Sequence, residues 1–383
     1  MRHETQIGLL DRLMELRQAG RNQDMLDAVM EVPVEKYTAP EIFEAEVRSI
    51  FGGFPMLAGH SSSVAEPGRY LLSDWNRLPF VVVRDKEGVL RAFLNICRHR
   101  GARLVSGEED QLSAFVCPYH GWVYGLDGSL KTVTRSYAFP DIDKCNYGLL
   151  ELPVAERHGL VWVHPDPEGA MDMDAHLGPF GQDMHHFGIE DFTRYTKTTV
   201  TKEANWKLLI KTYLEGYHVP YLHRTTLAAN FRKGVLAHDE HGAHMRLAAA
   251  RTNILEAMDY ERSSWNILDY ASVYYLLFPN AFFIMHPDYV SINTFYPEAP
   301  DRTVWSHEML YRQEAFPGEK GEKALRKRFE FTNDVVFDQE DFAIAEDIQR
   351  GLRFGPNKYH TLGLEEGLVG MFQQTIDHQL QAS

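Results

Sequence analysis

The chain has 383 residues, with 39 Lys and Arg against 54 Asp and Glu, a formal charge of −15, and 18 His against 3 Cys. An acidic chain without a basic tract is a poor nucleic-acid binder, and three cysteines exclude a disulfide-stapled scaffold. At 44% hydrophobic residues it can bury a large core, its length suggests two domains, and the surplus of His over Cys suits metal chemistry.

The N-terminus is charged and lacks an apolar leader region, and no window approaches 18 apolar residues. A cytoplasmic protein with no membrane segment is therefore expected. Residues 5–30 read as helical, because Leu9, Leu10, Leu13 and Leu16, then Met25, Leu26, Val29 and Met30, recur at helical spacing around Gly20. Residues 45–165 read as short strands and tight turns. The apolar runs 79–84 and 89–96 flank Asp85-Lys86-Glu87-Gly88, and the run 159–164 looks like a closing strand. Pro165, Pro167 and Gly169 mark a boundary. Beyond it, 206–217 reads as a helix, 274–296 and 303–311 as strands, and 322–352 as one or two helices. The pattern is α+β, a small all-β domain followed by an antiparallel sheet covered by helices.

Cys97-Arg98-His99 is followed by Cys117-Pro118-Tyr119-His120, each at the tip of a predicted hairpin, with Gly101 and Gly121 to turn the backbone. Two thiolates and two imidazoles can meet at one point there. A tetrahedral zinc accepts such a set, and so does a Rieske [2Fe–2S] cluster, with two Cys on one iron and two His on the other. Zinc fingers group like ligands, whereas here each loop supplies one Cys and one His, which is the Rieske arrangement.

The runs Cys97-Arg98-His99-Arg100-Gly101 and Cys117-Pro118-Tyr119-His120-Gly121-Trp122 resemble the signature of the ring-hydroxylating Rieske non-haem iron oxygenases, at their terminal oxygenase alpha subunit. The resemblance extends to 46–60, 205–223, 274–296 and the helix around Asp341. It implies a Rieske [2Fe–2S] domain over 45–165 and a catalytic domain of helix-grip type over 166–383. The helical segment 1–44 would pack on the latter. Cys97 and Cys117 would hold one cluster iron, and His99 and His120 the other.

The second constellation is Glu215-Gly216-Tyr217-His218, then Pro220 and His223. Two His five apart diverge by about 140° on an ideal helix, and Pro220 between them should kink or end it, letting both rings face one point. Glu215 lies three residues before His218 and can hydrogen-bond its ring. In the resembled family this is the mononuclear Fe(II) motif, with Asp or Glu in the place of Glu215; many members have Glu-Asn where this chain has Lys211-Thr212. The third ligand of a 2-His-1-carboxylate triad comes, in the family, from a C-terminal helix resembled by 339–349. Periodicity also points to Asp341, which falls inside the apolar stripe Phe337, Ile344, Ile348 and Leu352. Asp338 is second choice, and Glu340, Glu346 and Asp347 read as a solvated face. His238, His241 and His244 read as a solvated turn rather than a metal site, His185-His186 as surface, and Cys145 as a small buried residue.

The resemblance implies O2 activation with electrons supplied by the cluster. It also implies a homotrimer in which Glu215 links His218 to His120 of the partner subunit. No glycine-rich nucleotide loop is present, so no flavin or nicotinamide is expected, and a separate reductase or ferredoxin should donate electrons. Arg98, Arg100 and Arg103 would dock that donor or pack the cluster. Tyr275, Phe278, Phe282, Phe283, Met285 and Phe295 are candidate pocket walls for a small, largely apolar, aromatic substrate. Hydroxylation with N- or O-dealkylation is the favoured reaction and arene cis-dihydroxylation the second. A Rieske-type electron carrier and a zinc-binding module are the other classes.

Overall fold

The turn signal Asp85-Lys86-Glu87-Gly88 does join two strands, Phe80–Arg84 and Leu90–Leu94, paired antiparallel. Asp85 is buried and organises the turn. Its Oδ1 accepts the N–H groups of Glu87 at 3.0 Å and Val89 at 2.8 Å, and its Oδ2 accepts Arg91 Nε at 2.8 Å. Burial alone would push this carboxyl up; the Arg91 hydrogen bond and the backbone donors outweigh it and hold it below its ordinary range.

A computed structural model describes residues 1–20, 26–73, 75–107, 111–231 and 235–382. The hairpin belongs to a unit of Phe51–His176 and Ile189–Asp191, while Met1–Ile50, Leu177–Gly188 and Phe192–Ser383 form a second unit. The sequence placed the divisions at 44/45 and 165/166; the units change after Ile50 and after His176.

The first unit is all-β, with small antiparallel sheets of three, four and three strands. Phe80–Arg84 is buried on both faces. Val81 and Val83 join one core with Phe93, Phe115, Trp122 and Tyr124, while Phe80 and Val82 join another with Val64, Val161 and Val163. Two-sided burial explains why this strand is a continuous apolar run rather than an alternation.

The second unit is built on a seven-stranded antiparallel sheet. Its strands in spatial order are Thr193–Lys202, Arg302–Tyr311, Tyr289–Ala299, Ala281–Met285, Ala271–Leu277, His244–Ala250 and Leu236–His241. Helices cover the face that carries Phe282, Trp305 and His307, which meet Tyr213, Phe337 and Phe329. The opposite face presents Tyr275 to Phe180 at a ring separation of 5.6 Å. This is the expected α+β arrangement.

Three element expectations change. The N-terminal helix runs only His3–Gln18; Met30–Pro33 is instead a strand paired with Tyr359–Leu362, and Met25 lies outside the described residues. The helix opening at 206 ends at Lys211, and a separate short helix, Val219–Leu222, follows with Pro220 in its first turn. Pro220 therefore starts a helix rather than bending one, where its missing N–H has no partner to lose. Finally, 318–354 is continuous but not uniform. An α-helix, Gly318–Glu330, passes into a π-helical stretch, Phe331–Phe342, and then a second α-helix, Ala343–Phe354. Among the described residues no helix is long and apolar enough to cross a membrane.

Candidate metal centres

The two Cys-His loops of the β unit share one plan. Cys97 N–H donates to Ala102 O at 2.8 Å and Gly101 N–H to Cys97 O at 2.9 Å; Cys117 N–H donates to Trp122 O at 2.8 Å and Gly121 N–H to Cys117 O at 2.9 Å. Gly101 and Gly121 take φ of 78° and 68°, the left-handed region these turns require. Both thiols are buried at 2% exposure, while His99 and His120 stand half-buried at the tip with ring centroids 4.7 Å apart. His99 also stacks on Trp122 at 4.7 Å. Buried Asn95 braces the first loop, accepting the N–H groups of Leu104 and Val105 on Oδ1 and donating to Val105 O. Tyr124 Oη accepts Arg98 N–H at 3.1 Å and lies 3.3 Å from Cys97 Sγ. Neither Asn95 nor Tyr124 carries a spacing signal that sequence reading could have used.

His99 Nδ1 and His120 Nδ1 are buried without a hydrogen-bond partner among the described residues. Burial, then the His120 ring and Arg100, push the His99 pKa down and favour its neutral form. Two orphaned imidazole nitrogens above two buried thiols fit a Rieske cluster's donor set. Arg98, Arg100 and Arg103 are exposed around this tip; Arg98 donates to Gly148 O, and Arg100 lies 5.3 Å from the Tyr119 ring centroid.

In the second unit, His218 and His223 bracket the helix Val219–Leu222, one at each end. The structure brings them to Asp341: one ligand atom from each of the three lies within 4.8 Å of the others. His223 Nε2 is 3.0 Å and His218 Nε2 3.6 Å from Asp341 Oδ1. Each ring's other nitrogen is held by a carboxylate. His218 Nδ1 bonds Glu215 Oε1, whose second oxygen accepts His218 N–H at 3.0 Å. His223 Nδ1 bonds Glu340 Oε2 at 2.7 Å, which also accepts Thr226 Oγ1 at 2.8 Å. Donating from Nδ1 leaves the Nε2 lone pairs facing inward, as a metal requires. Burial opposes charge on both Asp341 and His223. It prevails at Asp341, whose carboxyl is pushed up, whereas at His223 the carboxylates prevail and raise the ring.

These rings line a cavity of about 150 Å³. Tyr213, Phe231, Tyr274, Ile284 and Phe337 form much of its wall, with Glu215 and Asp341 in the lining and no Lys or Arg among its described residues. The six expected wall residues do not line it. Tyr275 and Phe283 sit on the other parity of their strands, and Phe282 supports the wall from behind, stacked on Tyr213 at 4.4 Å.

Other expectations are corrected. Glu340 is no solvated side chain but the partner of His223; its adjacency to Asp341 was the available signal. Ile344 and Ile348 are 42% and 40% exposed, and Ala345, Gln349 and Leu352 share the buried side with Asp341 instead. Asp338 pairs with Lys202. His238, His241 and His244 lie in a hairpin rather than a solvated turn, with His244 buried and accepting Phe278 N–H. They make no metal group among the described residues. Cys145 is exposed, in a short turn capped by Asp143. His185 and His186 are exposed.

Residues 189–382 match the family profile described as ring hydroxylating alpha subunit (catalytic domain), and residues 55–142 match the Rieske [2Fe-2S] domain. The chain belongs to the ring-hydroxylating alpha-subunit family. This alpha subunit is 34% identical over 197 residues to a chloroplastic choline monooxygenase of Beta vulgaris, covering 50% of this chain and 44% of that protein. It is 33% identical over 194 residues to a carnitine monooxygenase oxygenase subunit of Acinetobacter pittii, covering 50% and 52%. The alpha subunit thus spans about half the length of these two relatives in the match. With a glycine betaine monooxygenase oxygenase subunit of Pseudomonas aeruginosa it shares 28% identity over 388 residues, 90% of this chain and 88% of that one. Its fold is similar to a quaternary ammonium Rieske monooxygenase crystallised with an inhibitor, at TM-score 0.80 and 24% identity over 94% and 96% of the chains.

Proposed function

We propose that this chain is the terminal oxygenase of a Rieske system, a non-haem iron oxygenase that uses O2 and electrons from a separate reductase or ferredoxin. One observation carries the reading. His218, His223 and Asp341 converge in the lining of a largely apolar cavity, in a chain whose other unit gathers Cys97, His99, Cys117 and His120 at one tip. In this reading Cys97 and Cys117 hold one iron of a [2Fe–2S] cluster and His99 and His120 the other, while His218, His223 and Asp341 hold a mononuclear Fe(II). Bound there, that iron would supply a site where O2 is reduced beside the substrate. Glu215 and Glu340 orient the two imidazoles, and the apolar wall excludes water.

The favoured reaction is hydroxylation of a carbon bonded to N or O, followed by loss of that carbon as an aldehyde. A C–H bond becomes C–OH, the second oxygen atom leaves as water, and two electrons and two protons are consumed. A substrate with an N-alkyl group, neutral or cationic, suits walls of Tyr213, Tyr274, Phe231 and Phe337 with carboxylates nearby and no Lys or Arg among the described lining residues. The relatives named for choline, carnitine and glycine betaine support the same class, in place of a purely aromatic substrate. In a homotrimer, Glu215 would link His218 to His120 of the partner subunit.

The test is Glu215→Gln with a surrogate reductase. Both metal spectra should persist while turnover is lost; wild-type turnover sinks the bridging role. Product analysis separates the chemistries, since released aldehyde supports dealkylation and a cis-diol refutes it. A colourless wild-type protein holding zinc would refute the whole reading.

A further inference from the structure

The helix-covered face of the sheet carries three polar side chains that the iron site does not use. Ser291, Asn293 and His307 are fully buried, at 0% exposure. Asn293 and His307 stand directly opposite each other on paired strands, and Ser291, two residues from Asn293, shares their face. Each of the larger two is anchored at one end. Asn293 Oδ1 accepts Trp305 Nε1 at 2.9 Å, and His307 Nδ1 lies 3.0 Å from Asn333 Oδ1. The Asn333 amide is oriented independently, because its Nδ2 donates to Asp334 Oδ1 at 2.7 Å and its Oδ1 accepts Thr198 Oγ1 at 2.9 Å. His307 Nδ1 must then carry the proton, which makes Nε2 a bare acceptor. Burial supports this neutral form, pushing the ring down to about 4.

What remains is a matched set. Asn293 Nδ2, His307 Nε2 and Ser291 Oγ are all buried without a partner among the described residues. They are a donor, an acceptor and a hydroxyl that serves as either. A single water can accept from the amide, donate to the imidazole and exchange a bond with the hydroxyl, and internal waters characteristically make about three such bonds. Phe337 packs on His307 with ring centroids 5.2 Å apart and also lines the substrate cavity, so this polar set lies close behind the cavity wall.

We infer that Ser291, Asn293 and His307 hold an ordered internal water, and that this water fixes His307 as a positioning residue for the segment that presents Asp341. His307 grips Asn333, inside the π-helical stretch Phe331–Phe342 whose last turn carries Glu340 and Asp341. The positioning half of the inference rests on Asp341 being an iron ligand; the water does not.

A crystal structure at a resolution that shows ordered solvent tests the water directly. One peak within hydrogen-bond reach of all three atoms supports it; no peak, with Asn293 Nδ2 bonded straight to His307 Nε2, overturns it. For positioning, His307→Phe keeps a ring between Trp305 and Phe329 but removes both nitrogens, and Asn333→Leu removes the grip from the helix side. Ferrous ion titrated into either folded variant should bind about tenfold more weakly, the lower end of what supporting-shell changes cost, with the absorption of the Cys-His centre unchanged. Wild-type affinity in both overturns the positioning role. Asp341→Ala is the control: if it too binds iron normally, the iron-site reading fails instead.

Discussion

Replacing Glu340 with Gln is expected to loosen iron binding about tenfold while leaving the fold intact. Glu340 bonds His223 Nδ1 at 2.7 Å, with side-chain exposures of 16% and 2%, so solvent screens the pair weakly. A hydrogen bond to a charged partner contributes about 1.5–3 kcal/mol and a neutral one about 0.5–1.5 kcal/mol, so Gln should forfeit about 1–1.5 kcal/mol. At about 1.4 kcal/mol per decade, that is roughly tenfold in affinity. Glu340→Leu removes the bond altogether and strands both His223 Nδ1 and Thr226 Oγ1, so a loss of roughly 30- to 100-fold is expected. Fe(II) affinity would be measured by calorimetry or chelator competition, with absorption of the Cys-His centre as the internal check on folding. If Glu340→Leu held iron as tightly as the parent, Glu340 would have no part in orienting His223.

Three further outcomes are expected. Lys211 is buried against Tyr37 and Gln373, and burial, reinforced by Lys207 and Lys36, pushes it from 10.5 down to about 7; Asp377 and Glu46 pull the other way, and His360 and Glu366 are the other titratable groups that feel its charge. Between pH 7 and 10 the unfolded chain binds this proton and the folded chain does not, so stability should rise with pH by up to about 1.4 kcal/mol per unit, and thermal melts of Lys211→Met should lose that rise. Tyr213 Oη is buried in the cavity lining without a partner among the described residues, so Tyr213→Phe should melt at or above the parent temperature yet bind a substrate bearing a polar atom less tightly; a markedly lower melting temperature would show the hydroxyl to be satisfied in the folded protein. Tyr124→Phe removes the hydroxyl beside Cys97 Sγ and the acceptor for Arg98 N–H, and spectroelectrochemistry should find a lower midpoint potential for the cluster, an unchanged one contradicting the assignment.

The α+β plan, the Asp85 turn, the two Cys-His loops and the His218–His223 pair are legible in the sequence, because each depends on short spacings and strong turn formers, whereas Asp341 is reached through the family resemblance. What escaped depends on long-range contact. Glu340 looks like surface on a helical wheel, and its partner His223 is 117 residues away. Tyr275, Phe283 and Met285 sit on the wrong strand parity for the pocket wall, because strands buried on both faces show no alternation to read; Tyr274 lines the cavity while Tyr275 packs on Phe180. The burial of Asp341 is read from a stripe of which Phe337 and Leu352 are buried but Ile344 and Ile348 are not. A 3.6-residue period was carried through a π-helical stretch, so Ile344 and Ile348 were placed inside when they face solvent. Cys145 shows the same limit, since a lone cysteine's composition-based preference for burial says nothing about a capped surface turn.

The π-helical stretch also sets a rule for sequence change in this segment. Its i→i+5 bonding accommodates more chain per turn than the flanking α-helices do. Forcing this stretch into ordinary α geometry at unchanged length, at about 100° per residue against the smaller angle of an i→i+5 turn, would rotate everything downstream relative to the sheet. Glu340 and Asp341 would swing away from His223 together, with every residue of the site still present. Geometry here is as constrained as identity, and a shorter segment keeps the site only where the residues lost match the turns that revert to α form.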